Sequence, residues 1–163
     1  MSTNALNRDR EIVVDRVGAL RTDRLLVTEQ DAARLRAALE RAALAAAASG
    51  DERRSEAVAL LAAALRGAVV VPPHHIPPDV ATMRSRVVLK DVDSGRRREV
   101  VLVYPEEERL HAGRVSALSP LGIALLGLAA GALVSWTLPS GRTSVLRVES
   151  VEYQPEAAAE FHL

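Results

Sequence analysis

Between Arg114 and Arg142 the chain carries no charge; the run reads VSALSPLGIALLGLAAGALVSWTLPSG. Apolar sequence of this length has two outlets, a membrane-spanning helix or the interior of a packed fold. Gly127 and Gly131 even stand at the GxxxG spacing that lets membrane helices pack closely. The punctuation decides against a span. Ser119 suits a helix N-cap, and Pro120 falls at the first helical position, where its missing N–H costs nothing. Gly127 stands where a short helix from Leu121 to Leu126 would end, and Gly131 turns the chain before a β-type run. The segment therefore reads as strand, helix, turn and strand, each too short to cross ~30 Å of hydrocarbon. No basic cluster flanks it to set an orientation. It is expected to be core.

Residues 25–71 read as a helical hairpin. Thr28 followed by Asp31 resembles a capping box, and Gln30 to Ala48 is almost entirely Ala, Leu, Arg and Glu. Leu35, Leu39, Ala42 and Ala46 recur at helical spacing and form one narrow apolar stripe. Ser49-Gly50 stops this helix, and Asp51-Glu52 starts a second that runs to about Arg66. Val58, Leu61, Ala62 and Leu65 mark its inner face. So short a connection makes the helices antiparallel neighbours, with arms of about four or five turns.

The four prolines of VVVPPHHIPPD forbid helix, so residues 72–79 read as a stiff linker. From residue 80 to 163 the pattern is that of antiparallel sheet. RVVLKDV and RREVVLVY flank Asp93-Ser94-Gly95, and LVSWTLP and TSVLRVESVEY flank Pro139-Ser140-Gly141. GRVSAL supplies another strand. In the last strand Val145, Arg147, Glu149 and Val151 share one face, Leu146, Val148 and Ser150 the other. Residues 1–24 alternate in charge too often for a secretory leader and read as a charged, tail-like extension, although EIVVDRVGAL could form a strand or short helix.

Composition narrows the function. Lys+Arg and Asp+Glu both number 21, giving a formal net charge of zero, and neither half carries the basic excess expected of a nucleic-acid binder. There are no cysteines, which removes disulfides and thiol chemistry and fits a reducing compartment, so the cytoplasm is expected. Four aromatic residues are too few to line a ligand pocket or stack bases. Neither a nucleophile elbow nor a phosphate-cradling glycine loop is present. His74-His75 has no third ligand nearby in sequence, so no metal or other cofactor is expected. Arg96-Arg97-Arg98 and Glu106-Glu107-Glu108 read as solvated turn and loop charges. Trp136, alternating with Val134 and Leu138, reads as core.

SPLGIALLGLAAGALVSWTLPSGRTSVLRVESVEY resembles the C-terminal domain of the GreA/GreB transcription elongation factor family. Within that family, PPDVATMRSRVVLKDVDSGRRREVVLVYP and EYQPEAAAEF most resemble the branch of regulators of nucleoside diphosphate kinase, and the likeness runs from about Leu25 to Leu163. The resemblance implies an α+β fold: an N-terminal antiparallel α-hairpin, or short coiled coil, followed by an FKBP-like antiparallel β domain with one short helix. It further implies bacterial RNA polymerase as partner, with the β domain on the rim of the secondary channel and the hairpin pointing inward. The family's polymerase-contacting turn corresponds to Ser119, Pro120, Leu121 and Gly122, preceded here by Leu118 where some members carry a polar residue.

The cleavage factors of the family place an Asp and a Glu three residues apart at the hairpin tip, to hold a second Mg²⁺ beside the one the polymerase owns. Here the tip reads Gly50-Asp51-Glu52-Arg53-Arg54-Ser55-Glu56, and the residue three beyond Asp51 is Arg54. Two arginines beside the acids repel a divalent cation. Asp51, Glu52 and Glu56 are therefore expected at an exposed tip, with no catalytic residue among them. The expectation is a non-catalytic regulator of elongation that competes with Gre-type factors. A cleavage factor, or an interaction module that has left the polymerase, are the alternatives.

Overall fold

The computed structural model describes residues 11–15, 18–20, 25–110, 112–137 and 142–161. In chain order the elements are β1 (Glu11–Asp15), β2 (Gly18–Leu20), β3 (Leu26–Thr28), α1 (Glu29–Ser49), α2 (Glu52–Arg66) and β4 (Val69–Val71). Then follow β5 (Arg86–Asp91), β6 (Arg97–Val103), β7 (Arg114–Ser116), α3 (Pro120–Leu125), β8 (Leu133–Thr137) and β9 (Thr143–Tyr153). A helical hairpin thus precedes a curled, mostly antiparallel sheet, the architecture read from the sequence.

The hairpin forms as its capping residues dictate. Thr28 Oγ1 accepts the Asp31 N–H at 3.0 Å and opens α1. Gly50 closes it in the left-handed region (φ 68°), which a side chain disfavours. Asp51 Oδ1 then accepts the Arg54 N–H at 3.0 Å and opens α2. Leu35, Leu39, Ala42 and Ala46 are buried as the first stripe required; Leu35 and Leu39 cluster with Leu61 and Leu65 of α2, whose Val58 and Ala62 are half-buried. The first arm is longer than expected, 21 residues or about six turns, because helix begins directly at Glu29 and runs to Ser49. β3 and β4, the segments entering and leaving the hairpin, pair in parallel and pin its base. A three-residue run of Val69–Val71 beside prolines gave no periodic signal for this.

The sheet runs β2-β1-β8-β9-β5-β6-β7. The two expected hairpins are antiparallel, β5 with β6 and β8 with β9, and β9 returns alongside β5. At Asp93-Ser94-Gly95 the turn is held by Asp91, whose Oδ1 accepts the N–H groups of Asp93 (3.0 Å) and Ser94 (2.8 Å). Residues 138–141, the expected second turn, lie outside the described residues, as does the side chain of Trp136. Two pairings depart from a purely antiparallel sheet: β6 with β7, and β1 with β8, are parallel. The second also corrects the N-terminal reading. Glu11–Asp15 and Gly18–Leu20 are strands extending the sheet beyond β8, because a β-branched run meets an open strand edge. Residues 1–10 lie outside the described part.

The uncharged run resolves as read: β7, α3, turns at Gly127 (φ 76°) and Gly131 (φ 93°), then β8. Among the described residues no helix is long and apolar enough to cross a membrane. α3 lays Leu121, Ala124 and Leu125 on a core of Val87, Leu89, Val100, Val134, Leu146 and Val148. A second core joins hairpin to sheet: Leu25, Val27, Leu35, Leu61 and Leu65 pack with Met83, Leu102, Tyr104, Ile123 and Leu126. The linker is seated too. Pro73–His75 makes one 3₁₀ turn, Ile76 is buried with Val80 and Ala129, and Gln154 Nε2 donates to the carbonyls of Pro77 (2.8 Å) and Val80 (2.7 Å).

Candidate functional site

Three places carry the residues that matter, and the hairpin tip is the first. Asp51, Glu52, Arg53, Arg54, Ser55 and Glu56 are all exposed. Asp51 uses its carboxylate as the α2 cap, and Ser55 Oγ donates to the Asp51 carbonyl at 3.0 Å. The carboxylate is thus turned toward its own helix. Glu52 and Glu56, four residues apart, share one face of α2.

The Ser119–Gly122 turn is the second place, and it divides into a buried and a presented half. Ser119 Oγ accepts the Gly122 N–H (3.0 Å) and donates to the Ser116 carbonyl (2.7 Å), so one hydroxyl both caps α3 and ties it to β7. A Cβ on Gly122 would stand 1.8 Å from that same carbonyl oxygen, which is why only glycine fits. Leu121 and Gly122 are buried, Ser119 is half-buried and Pro120 is exposed. Of the four residues, Pro120 is the exposed one, and Ser119 beside it is partly accessible with its hydroxyl engaged. Leu118 packs against the core shared with the hairpin.

The third place was not foreseen. Asp31, which the sequence suggested only as a capping partner, is buried at the base of the finger. Its Oδ1 accepts from the Tyr104 hydroxyl (2.9 Å) and its Oδ2 from the Met83 N–H (3.3 Å). Burial lifts its carboxyl to about 6; the hydrogen bond from Tyr104 opposes that rise, the charge of Glu156 adds to it, and Arg34 opposes it. Burial likewise raises the Tyr104 phenol, with Asp31 pushing the same way and Arg34, which also hydrogen-bonds it, pushing back. Arg84 lies over the Tyr104 ring at 5.4 Å. It donates from Nη2 to Glu107 Oε1 at 2.5 Å and from Nε to the same oxygen at 3.0 Å. Glu107 Oε2 accepts the Tyr104 N–H at 3.3 Å.

Glu107 is therefore no solvated loop charge, as the acidic triplet suggested. It sits in a 3₁₀ turn, Pro105–Leu110, that aims it at Arg84. Arg97 is likewise paired, with Glu149 at 2.7 Å. His74 and His75 are exposed, their rings edge to face with centroids 4.3 Å apart. Among the described residues no group of three or more His, Asp or Glu side chains is placed to hold a metal ion.

Comparison with known proteins bears on all three places. Residues 76–153 match the family model for the C-terminal part of the transcription elongation factors GreA/GreB. A prokaryotic transcription elongation factor GreA/GreB from Nitrosomonas europaea is 33% identical, with a TM-score of 0.64 over 81% of this chain and 100% of its own. This chain belongs to the GreA/GreB family. Among relatives of this GreA/GreB chain, the regulator of nucleoside diphosphate kinase of Escherichia coli K12 is 42% identical over 88 residues. That match covers 54% of this chain and 65% of the regulator. GreA of Syntrophomonas wolfei is 37% identical over 76 residues, 45% of this chain and 48% of its own. The family model covers the Ser119–Gly122 turn and Arg84, Tyr104 and Glu107, and leaves out Asp31 and the tip.

Proposed function

We propose that this GreA/GreB-family chain is a non-catalytic regulator that binds bacterial RNA polymerase. Its sheet domain sits on the rim of the secondary channel through Ser119 and Pro120, and its helical finger points inward. There it modulates elongation and competes with Gre-type factors, in the cytoplasm where the polymerase works. The likeness to an elongation factor along that factor's whole length, finger and head together, supports the partner. The tip carries the rest of the proposal. A metal-delivering tip needs two carboxylates free to converge on one cation. Here Asp51 is engaged as a helix cap, and Arg54 stands three residues beyond it.

Retention of the chain on immobilised core polymerase is the expected result, weakened at least tenfold by Pro120→Glu, an exposed first-turn change that helix α3 tolerates. Backtracked elongation complexes incubated with the protein are expected to keep their RNA intact. RNA cleavage that is lost with Asp51→Ala and Glu52→Ala would make it a cleavage factor instead. No retention would leave it an interaction module for some other protein.

A further inference from the structure

Beside the Asp31–Tyr104 joint the finger and the head enclose an open recess of about 440 Å³, lined by Arg34, Ala37, Arg41, Arg84, Tyr104 and Glu106. Small-molecule sites start at roughly 300 Å³. We propose that this recess binds a phosphoryl oxyanion, the diphosphate of a nucleotide or free pyrophosphate.

The space exists by construction. Arg34 and Arg41 stand seven residues apart on α1, two turns along one face, and Ala37 between them leaves the gap unfilled. The opposite wall is pre-set. Arg84 takes a left-handed backbone (φ 62°), rare for a residue with a side chain, and its N–H donates to the Leu102 carbonyl at 2.6 Å. Strain of this kind persists only where the surrounding structure over-determines it. Here it lays the guanidinium over a Tyr104 ring whose hydroxyl is tied to Asp31.

The charge points to an anion. Three arginines line one space against a single lining carboxylate, Glu106: Arg34 and Arg41 from α1 and Arg84 from the turn before β5. A guanidinium is a planar fork of five donors. The bonds of Arg84 to Glu107 run through Nε and Nη2, on one side of its guanidinium. Arg41 meets Glu106 at 3.4 Å with both side chains more than half exposed, at 64% and 58%. So exposed a pair is weak, and a polyanion can take Arg41 from it. Forks on both walls of a recess suit a tetrahedral group with three oxygens better than a planar carboxylate with two.

Isothermal titration of the full chain with pyrophosphate, ADP and adenosine, at fixed ionic strength, tests the site. Pyrophosphate and ADP are expected to saturate one site, and adenosine none. Tighter binding of ADP than of pyrophosphate assigns the nucleotide as source; equal affinity assigns the free anion. Arg41→Ala and Ala37→Leu, both exposed positions, should each weaken binding at least tenfold, the first by lost charge and the second by filling the gap. Glu106→Gln should tighten it severalfold, since it releases Arg41. Absence of saturable binding overturns the proposal, as does affinity that none of the three substitutions changes.

Discussion

A carboxylate with almost no contact to water is stable only if something in the fold favours it, and Asp31 meets that condition in part. Its hydrogen bonds from Tyr104 and Met83 favour the charge; burial opposes it more strongly and sets the carboxyl near 6. Because the folded value lies above the unfolded 3.8, the folded state binds the extra proton. The stabilisation is complete below the unfolded value and is lost as pH rises through about 6. A displacement of this size corresponds to roughly 3 kcal/mol. Urea unfolding of the native chain and of Asp31→Asn should therefore show a stability difference that moves by about that amount between pH 4 and pH 7, in favour of the variant at the higher pH. A difference flat with pH would mean that Asp31 ionises as a solvated residue does. Gly122→Ala makes a second test, since its Cβ would meet the Ser116 carbonyl oxygen at 1.8 Å. The backbone must move, and a loss of about 3 kcal/mol or more in urea unfolding is expected. Thr28 and Ser119 were legible as caps, because capping is decided within four residues. Asp31 was legible only as part of a cap: its partner Tyr104 lies 73 residues away, and no local pattern joins the two.

For the elements, local signals set the boundaries and neighbours set the rest. Gly50 and Asp51 divide the finger where the sequence divided it, since a left-handed stop and an N-cap depend on nothing distant. The structural duty of Asp51 can be separated from any work at the tip. Asp51→Ala should cost about 1 kcal/mol by denaturant unfolding, the usual worth of such a cap. Glu52→Ala and Glu56→Ala, exposed and without a cap role, should stay within about 0.5 kcal/mol. Equal losses at all three positions would deny Asp51 its capping role. The strands β1 to β4 tell the other half. EIVVD and VVV have strand-forming composition, but their pairing with β8 and β3 depends on which edges the rest of the chain leaves open.

Across the molecule, finger and head share a core. Leu35 of α1 is 1% exposed and clusters with Met83, Leu102 and Tyr104 of the head. The finger should therefore not melt as a separate unit. Helix ellipticity and hydrogen exchange of the β5–β9 amides should report one unfolding midpoint, and Leu35→Ala should lower both together by about 2–5 kcal/mol. Two separate transitions would show that the joint is only a contact. The same joint forms one wall of the arginine recess, so an anion bound there would stiffen the finger against the head.

The helices, the strands from β5 onward, the caps and the interrupted apolar run were written in the sequence because each depends on periodicity or on a few adjacent residues. So was the missing second acid at the tip, which is a matter of spacing alone. The parallel pairings, the seat of the finger and the Asp31–Tyr104–Arg84–Glu107 network were decided only by the tertiary structure. They bring together residues far apart in the chain, whose contact depends on how two cores meet, and burial alone makes a carboxylate there matter.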